Sequence, residues 1–142
     1  MKKNTKLNNK IKIPRLGLGV YKIDEEHMKP AVKAAEKAGY RAFDTAYFYH
    51  NEKELGAALK SGKVPREKLF ITTKLWNDYQ GYDSTKEYFE KSLKNLGTDY
   101  LDMFLIHWPC EEDGLFIETY KAMEELYKEG RVKACLLYTS PS

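Results

Sequence analysis

The chain has 142 residues, 42% hydrophobic and 32% charged, with a formal net charge of +3, which is enough apolar material for one sizeable core. Near-balanced charge supplies no strong field for nucleic acid or an anionic membrane, and Lys2, Lys3, Lys6 and Lys10 among asparagines read as a solvated end. No apolar run has the length of a membrane span or the form of a secretory leader, and two cysteines without metal-like spacing to the histidines argue against a disulfide framework or a metal, so a soluble cytoplasmic protein is expected.

Thr5-Lys6-Leu7 and Ile11-Lys12-Ile13 flank Asn8-Asn9-Lys10, which predicts a small β-hairpin whose asparagines take the positive φ of the turn. Leu16-Gly17-Leu18-Gly19-Val20 predicts a short strand whose glycines admit either another backbone or a ligand. Asp24 then caps a helix carried by Met28, Ala31, Val32, Ala35 and Ala38 and stopped by Gly39. A second strand runs from Tyr40 to Asp44. Asn51 and Glu54 open a second helix, with Leu55, Ala58 and Leu59 on its buried face. Pro65-Arg66-Glu67-Lys68 turns into a third strand, Leu69 to Lys74. Ser84 and Glu87 form a capping-box pattern for a helix buried through Phe89, Leu93 and Leu96. The fourth strand is Tyr100 to His107. Glu111, Glu112 and Asp113 precede a fourth helix whose expected stripe is Phe116, Tyr120, Met123 and Tyr127. From Val132 the chain starts like a fifth strand and then reads Thr139-Ser140-Pro141-Ser142.

Fourfold alternation of strand and helix implies parallel strands covered by helices, with all strand C-termini on one rim. A doubly wound sheet and a (β/α)8 barrel both meet that pattern, and both place their chemistry on that rim. A complete barrel takes about 250 residues, so four units are roughly half of one.

Asp44, Lys74 and His107 each end a predicted strand, and Tyr49 lies in the loop after the second. Alternation along a strand puts Lys74 on the face of Thr72 and Phe70, and His107 on that of Leu105 and Met103. A buried lysine needs a carboxylate partner, and Asp44 is placed to be one. A plain ion pair with a core histidine is the structural alternative. Beside a lysine, however, a phenol of reference pKa about 10 is drawn toward the phenolate, which suits a general acid.

Leu16-Gly17-Leu18-Gly19-Val20-Tyr21-Lys22, Phe43-Asp44-Thr45-Ala46 through Tyr49-His50-Asn51-Glu52, Ile71-Thr72-Thr73-Lys74-Leu75-Trp76 and Leu105-Ile106-His107-Trp108-Pro109, in that order, resemble the aldo-keto reductase family. The resemblance implies an α/β fold, the N-terminal half of a (β/α)8 TIM barrel with an N-terminal hairpin. It implies NADPH-dependent reduction of small carbonyl compounds by a catalytic tetrad of Asp44, Tyr49, Lys74 and His107, in a form monomeric at full length. Tyr49 would donate the proton, Lys74 held by Asp44 would tune it, and His107 would orient the carbonyl. Gly19, Val20, Tyr21, Lys22 and Asp44 match cofactor-binding positions. Tyr21, Trp76, His107 and Trp108 match substrate-binding ones. Gly17 is expected to be structural, while Tyr47, His50, Asn51 and Glu52 are expected in loop and helix-capping roles. The Val-Tyr-Lys and His-Trp-Pro variants most resemble small bacterial reductases of glyoxal, methylglyoxal or keto sugar acids.

The resemblance runs through residues 1–134, about the first four βα units. Residues 135–142 depart from it, lack the Ser-Asn pair the family pattern calls for and are expected to be a truncation artefact. A chain without the second half is expected to hold cofactor poorly, to expose unpaired strand edges and to show little activity alone. Three other readings remain: a non-catalytic cofactor-sensing subunit, a phosphate-binding barrel isomerase or aldolase using Lys74 as a Schiff-base nucleophile, and a polypeptide without independent function.

Overall fold

Five parallel strands, joined by four helices that each return the chain to the next strand, make up the body of the protein. The structure is a computed structural model and describes residues 3–110 and 114–137. It opens with β1 (Asn4–Lys6) antiparallel to β2 (Lys12–Pro14), Thr5 opposite Ile13. The left-handed residue of this hairpin is Lys10, at φ 69°, rather than an asparagine. Asn9 instead spends its side chain on hydrogen bonds, accepting from the Ile11 amide at 3.3 Å and donating to the Lys133 carbonyl at 3.2 Å.

The sheet follows chain order: β3 (Gly17–Gly19), β4 (Ala42–Asp44), β5 (Phe70–Leu75), β6 (Leu101–Ile106) and β7 (Val132–Leu137), all neighbours parallel. Between them run α1 (Glu25–Lys37), α2 (Glu52–Ser61), α3 (Tyr82–Leu96) and α4 (Phe116–Lys128). One face of the sheet buries Phe43, Ile71, Leu75, Phe104 and Ile106 against the helices through Val32, Leu55, Phe89, Leu93 and Met123. The other face is smaller. Phe70, Met103, Leu105 and Ala134 cluster there with Leu7, Ile11 and Ile13, so the hairpin covers the sheet where the strands begin. Gly17 is needed for strand packing, since a Cβ there would lie 3.2 Å from the Ala42 side chain.

The first helix forms as expected, with Asp24 accepting from the His27 amide at 2.9 Å and Met28, Val32 and Ala35 buried. Three expectations are corrected. Asn51 is the N-cap residue of α2 but makes no side-chain cap, because its amide is used elsewhere. The third helix starts at Tyr82, two residues before Ser84, with Gly81 at φ 125° as its cap. The Gly81 amide donates to the Thr119 hydroxyl at 2.8 Å, a contact between helices that outweighs the local capping-box pattern. That contact also helps orient α4, which buries Thr119, Ala122, Met123 and Leu126 while Tyr120 and Tyr127 face outward. The last strand reaches Leu137, pairing Phe104 with Cys135 and Ile106 with Leu137. The acidic run 111–113 and residues 138–142 lie outside the described residues.

Candidate active site

Parallel register explains why the rim residues meet. Asp44 pairs with Thr72, and Lys74 stands two residues further along the same strand, on the same face and one step nearer the rim. From there Lys74 donates to the Asp44 carboxylate and, at 3.1 Å, to the Thr45 carbonyl. Beyond Ile106 the ladder continues one step, the His107 amide donating to the Leu75 carbonyl at 3.1 Å. After β4 the chain enters a single 3-10 turn, Tyr47–Tyr49, which ends on the left-handed His50 at φ 54°. This turn carries the Tyr49 ring over the sheet end, with the Lys74 ammonium 5.2 Å from its centroid. The His107 ring stands 6.1 Å from that of Tyr49 at 84°. Asp44, Tyr49, Lys74 and His107 therefore form one cluster.

The His107 Nδ1 atom is buried and has no hydrogen-bond partner. Burial holds the imidazole below its ordinary pKa; the Lys74 charge acts in the same direction and Asp44 opposes it. A neutral ring follows, with one N–H available to a ligand.

The loop after β3 approaches the same cluster. Tyr21 is 57% exposed and its ring lies 4.8 Å from that of Tyr49. Lys22 adopts the left-handed region at φ 60°, its Nζ 5.3 Å from the Tyr21 ring. A Cβ on Gly19 would meet nothing within 4 Å, so that strand end is open to an approaching group. Val20 differs from its neighbours. It is fully buried with the helix-facing core, its amide bound to the Asp44 carbonyl and its own carbonyl to Asn51 and Ile23, so its side chain does not reach the rim.

On the opposite side, Trp76 stands edge-on to His107 at 5.2 Å, and Trp108 lies nearly parallel to that ring at 6.3 Å. Trp76 is also stacked on Phe48 at 3.9 Å and 15°. Phe48 was not singled out from the sequence, although its place between two motif tyrosines was a signal. Asn51 and Glu52, expected from the sequence in local helix-capping roles, are both buried and bonded to distant parts of the chain. Asn51 donates to the Val20 and Ile23 carbonyls at 2.8 and 3.3 Å and accepts from the Thr45 hydroxyl at 2.8 Å. Glu52 accepts from Thr73, Ser92 and Asn95 at 2.7, 3.2 and 3.2 Å. Among the described residues, no group of three or more His, Cys, Asp or Glu could hold a metal ion, and no helix is long and apolar enough to cross a membrane.

A parallel βα sheet that gathers a carboxylate, an ammonium, a phenol and an imidazole at its strand ends defines an α/β protein of the barrel class with an acid–base rim. The model of the Aldo/keto reductase family matches residues 15–135. The chain belongs to that family. It is 47% identical over 135 residues to the glyoxal reductase of Bacillus subtilis (strain 168), covering 94% of this chain and 48% of the relative. Among solved structures, the aldo/keto reductase of Brucella melitensis superposes with a TM-score of 0.92 at 47% identity, covering 98% of this chain and 54% of the other. A mutant of Gox0644 in complex with NADPH superposes at 0.90 with 40% identity, covering 98% of this chain and 50% of the other. The chain spans about half the length of the curated relatives it matches, and the fold corresponds to the N-terminal half of a (β/α)8 barrel.

Proposed function

We propose that this chain supplies the proton-donating rim of an NADPH-dependent reductase of small aldehydes and ketones, glyoxal among them. The observation that carries the reading is the Lys74–Asp44 pair set beside the Tyr49 ring and facing a half-buried His107 whose Nδ1 has no hydrogen-bond partner. The rim fits a nicotinamide: Tyr21 offers an exposed ring face beside the phenol, Gly19 leaves open space, and the Asp44 side chain is 45% exposed. Gly19, Tyr21, Lys22 and Asp44 would hold the cofactor, with Val20 contributing only through the loop it anchors. NADPH, when bound, supplies the hydride that the carbonyl carbon accepts.

Tyr49 gives its hydroxyl proton to the carbonyl oxygen as the C=O bond becomes an alcohol, and recovers a proton from water. Lys74, kept in place by Asp44 and Thr45, stabilises the negative charge that develops on the phenolic oxygen. His107, neutral in its half-buried setting, hydrogen-bonds and orients the carbonyl oxygen. Tyr21, Trp76 and Trp108 wall the substrate and exclude water. The Lys74 nitrogen is engaged as a donor to two oxygens, the role of an ammonium rather than of a Schiff-base nucleophile.

The test is a chimera in which residues 15–135 replace the matching segment of the Bacillus subtilis glyoxal reductase. Turnover of glyoxal with NADPH is expected in the chimera, falling about 10²–10⁴-fold on Tyr49→Phe. A folded, NADPH-binding chimera without turnover, or one that tolerates Tyr49→Phe, overturns the reading.

A further inference from the structure

The loop after β5 is fastened to the chain after β6 at two separate points. Gln80 is 6% exposed, and its Nε2 donates to the Trp108 carbonyl at 2.6 Å across 28 residues of sequence. Next to it, the Gly81 amide donates to the Thr119 hydroxyl, which in turn donates to the Leu115 carbonyl at 2.9 Å. One dipeptide thus holds both Trp108, at the rim, and the first turn of α4. The remaining side-chain oxygen of Gln80 is buried without a partner. A buried amide that satisfies one end and strands the other carries a desolvation cost, so the bond it does make is the one its burial serves.

What it sets in place is an otherwise weakly held residue. Trp108 is 41% exposed, and among the described residues its ring meets the cluster through a near-parallel placement 6.3 Å from the His107 ring. By contrast, Trp76 is fixed on both sides by Phe48 and His107. We infer that Gln80 is a positioning residue for the substrate wall, holding the Trp108 indole beside His107 through the backbone carbonyl. The inference rests on the reductase reading for its functional meaning, but the placement of Trp108 is a property of the chain alone.

The test uses the full chain with Trp76→Phe, leaving Trp108 as the sole indole, and reads acrylamide quenching and anisotropy of its fluorescence. Gln80→Met keeps length and removes the donor; it is expected to raise the released population of Trp108 about fivefold, the change that losing one ordinary hydrogen bond produces, with greater quenching and lower anisotropy. Gln80→Glu supplies a second, reversible variant. It is expected to behave like Gln80→Met at about pH 8, where the carboxylate cannot donate, and to return toward the parent at about pH 5, where burial favours the protonated acid. Parental quenching in both variants at pH 8 overturns the inference, as does a loss in Gln80→Glu that acid does not reverse. Because the indole is read directly, an inactive chimera would count against the reductase reading without deciding whether Gln80 holds Trp108.

Discussion

The Lys74 ammonium and the Asp44 carboxylate form an ion pair of unequal burial, the lysine side chain 6% exposed and the aspartate 45%. Removing the two partners should therefore have unequal effects. Asp44→Ala leaves a charge inside the rim whose remaining hydrogen-bond acceptor among the described residues is the Thr45 carbonyl, whereas Lys74→Met leaves a carboxylate that water reaches. Losing one partner of a fully buried pair costs about 3–5 kcal/mol; the exposure of Asp44 and the retained carbonyl reduce this to about 2 kcal/mol for Asp44→Ala, and to below about 1 kcal/mol for Lys74→Met. Urea unfolding with unchanged m-values measures both. A larger loss in Lys74→Met would contradict the geometry.

His107 predicts a loss of stability in acid. Its folded-state pKa lies below the ordinary 6.5 because burial, and then Lys74, disfavour the imidazolium. The unfolded chain takes up its proton first, so the contribution is complete above about pH 6.5 and is lost as pH falls through the folded value. The slope of unfolding free energy against pH in that range should shrink in His107→Phe. An NMR titration of His107 in Lys74→Met should also move upward toward the ordinary histidine range. An unchanged titration would show that the lysine charge does not reach the ring.

Glu52 predicts the opposite trend at lower pH. Burial raises its pKa, partly offset by hydrogen bonds from Thr73, Asn95 and Ser92 and by the charge of His50. A carboxyl with a raised folded pKa contributes fully below its ordinary value of 4.5 and loses that contribution as pH rises through the folded value. Glu52→Gln should therefore flatten this part of the pH profile and remain within about 1 kcal/mol of wild type at neutral pH, because an amide still accepts from Thr73. Glu52→Leu leaves the three donors unpaired and should cost about 2–3 kcal/mol at neutral pH. Denaturant titrations across the carboxylate range distinguish the two.

The strand ends were legible in the sequence because each apolar run stops at an ionisable residue: Asp44 at the end of β4, Lys74 one residue before the end of β5, and His107 one residue past β6. A period of two puts Lys74 on the face of Thr72, and adjacency of the two parallel strands, with Asp44 opposite Thr72, brings Lys74 to Asp44. What was not legible depends on partners far along the chain. The start of α3 and the rotation of α4 both involve Gly81 and Thr119, 38 residues apart. Asn51 and Glu52 look like helix-opening residues because Asn and Glu favour those positions, yet their side chains bond residues 31 and 43 positions away. Local propensity chose the right residue types for the helix start and said nothing of where their side chains go.

Asn51 offers the sharpest test of that difference. An N-cap role alone would make Asn51→Asp nearly neutral, since aspartate caps helices as well as asparagine does. The structure assigns its amide two donor bonds, to the Val20 and Ile23 carbonyls that flank Tyr21, and one acceptor bond from Thr45, whose carbonyl in turn binds Lys74. Asn51→Asp keeps the acceptor but sets a buried carboxylate against two carbonyl oxygens. Asn51→Leu removes all three bonds without adding a charge. At about pH 8 the aspartate variant should lose about 3 kcal/mol and the leucine variant about 2 kcal/mol. Below about pH 5 the aspartate variant should recover, because a protonated acid can again donate to one carbonyl while accepting from Thr45. Urea unfolding at the two pH values decides it: a neutral Asn51→Asp would return Asn51 to a local capping role and detach the Tyr21 loop from the Lys74 rim.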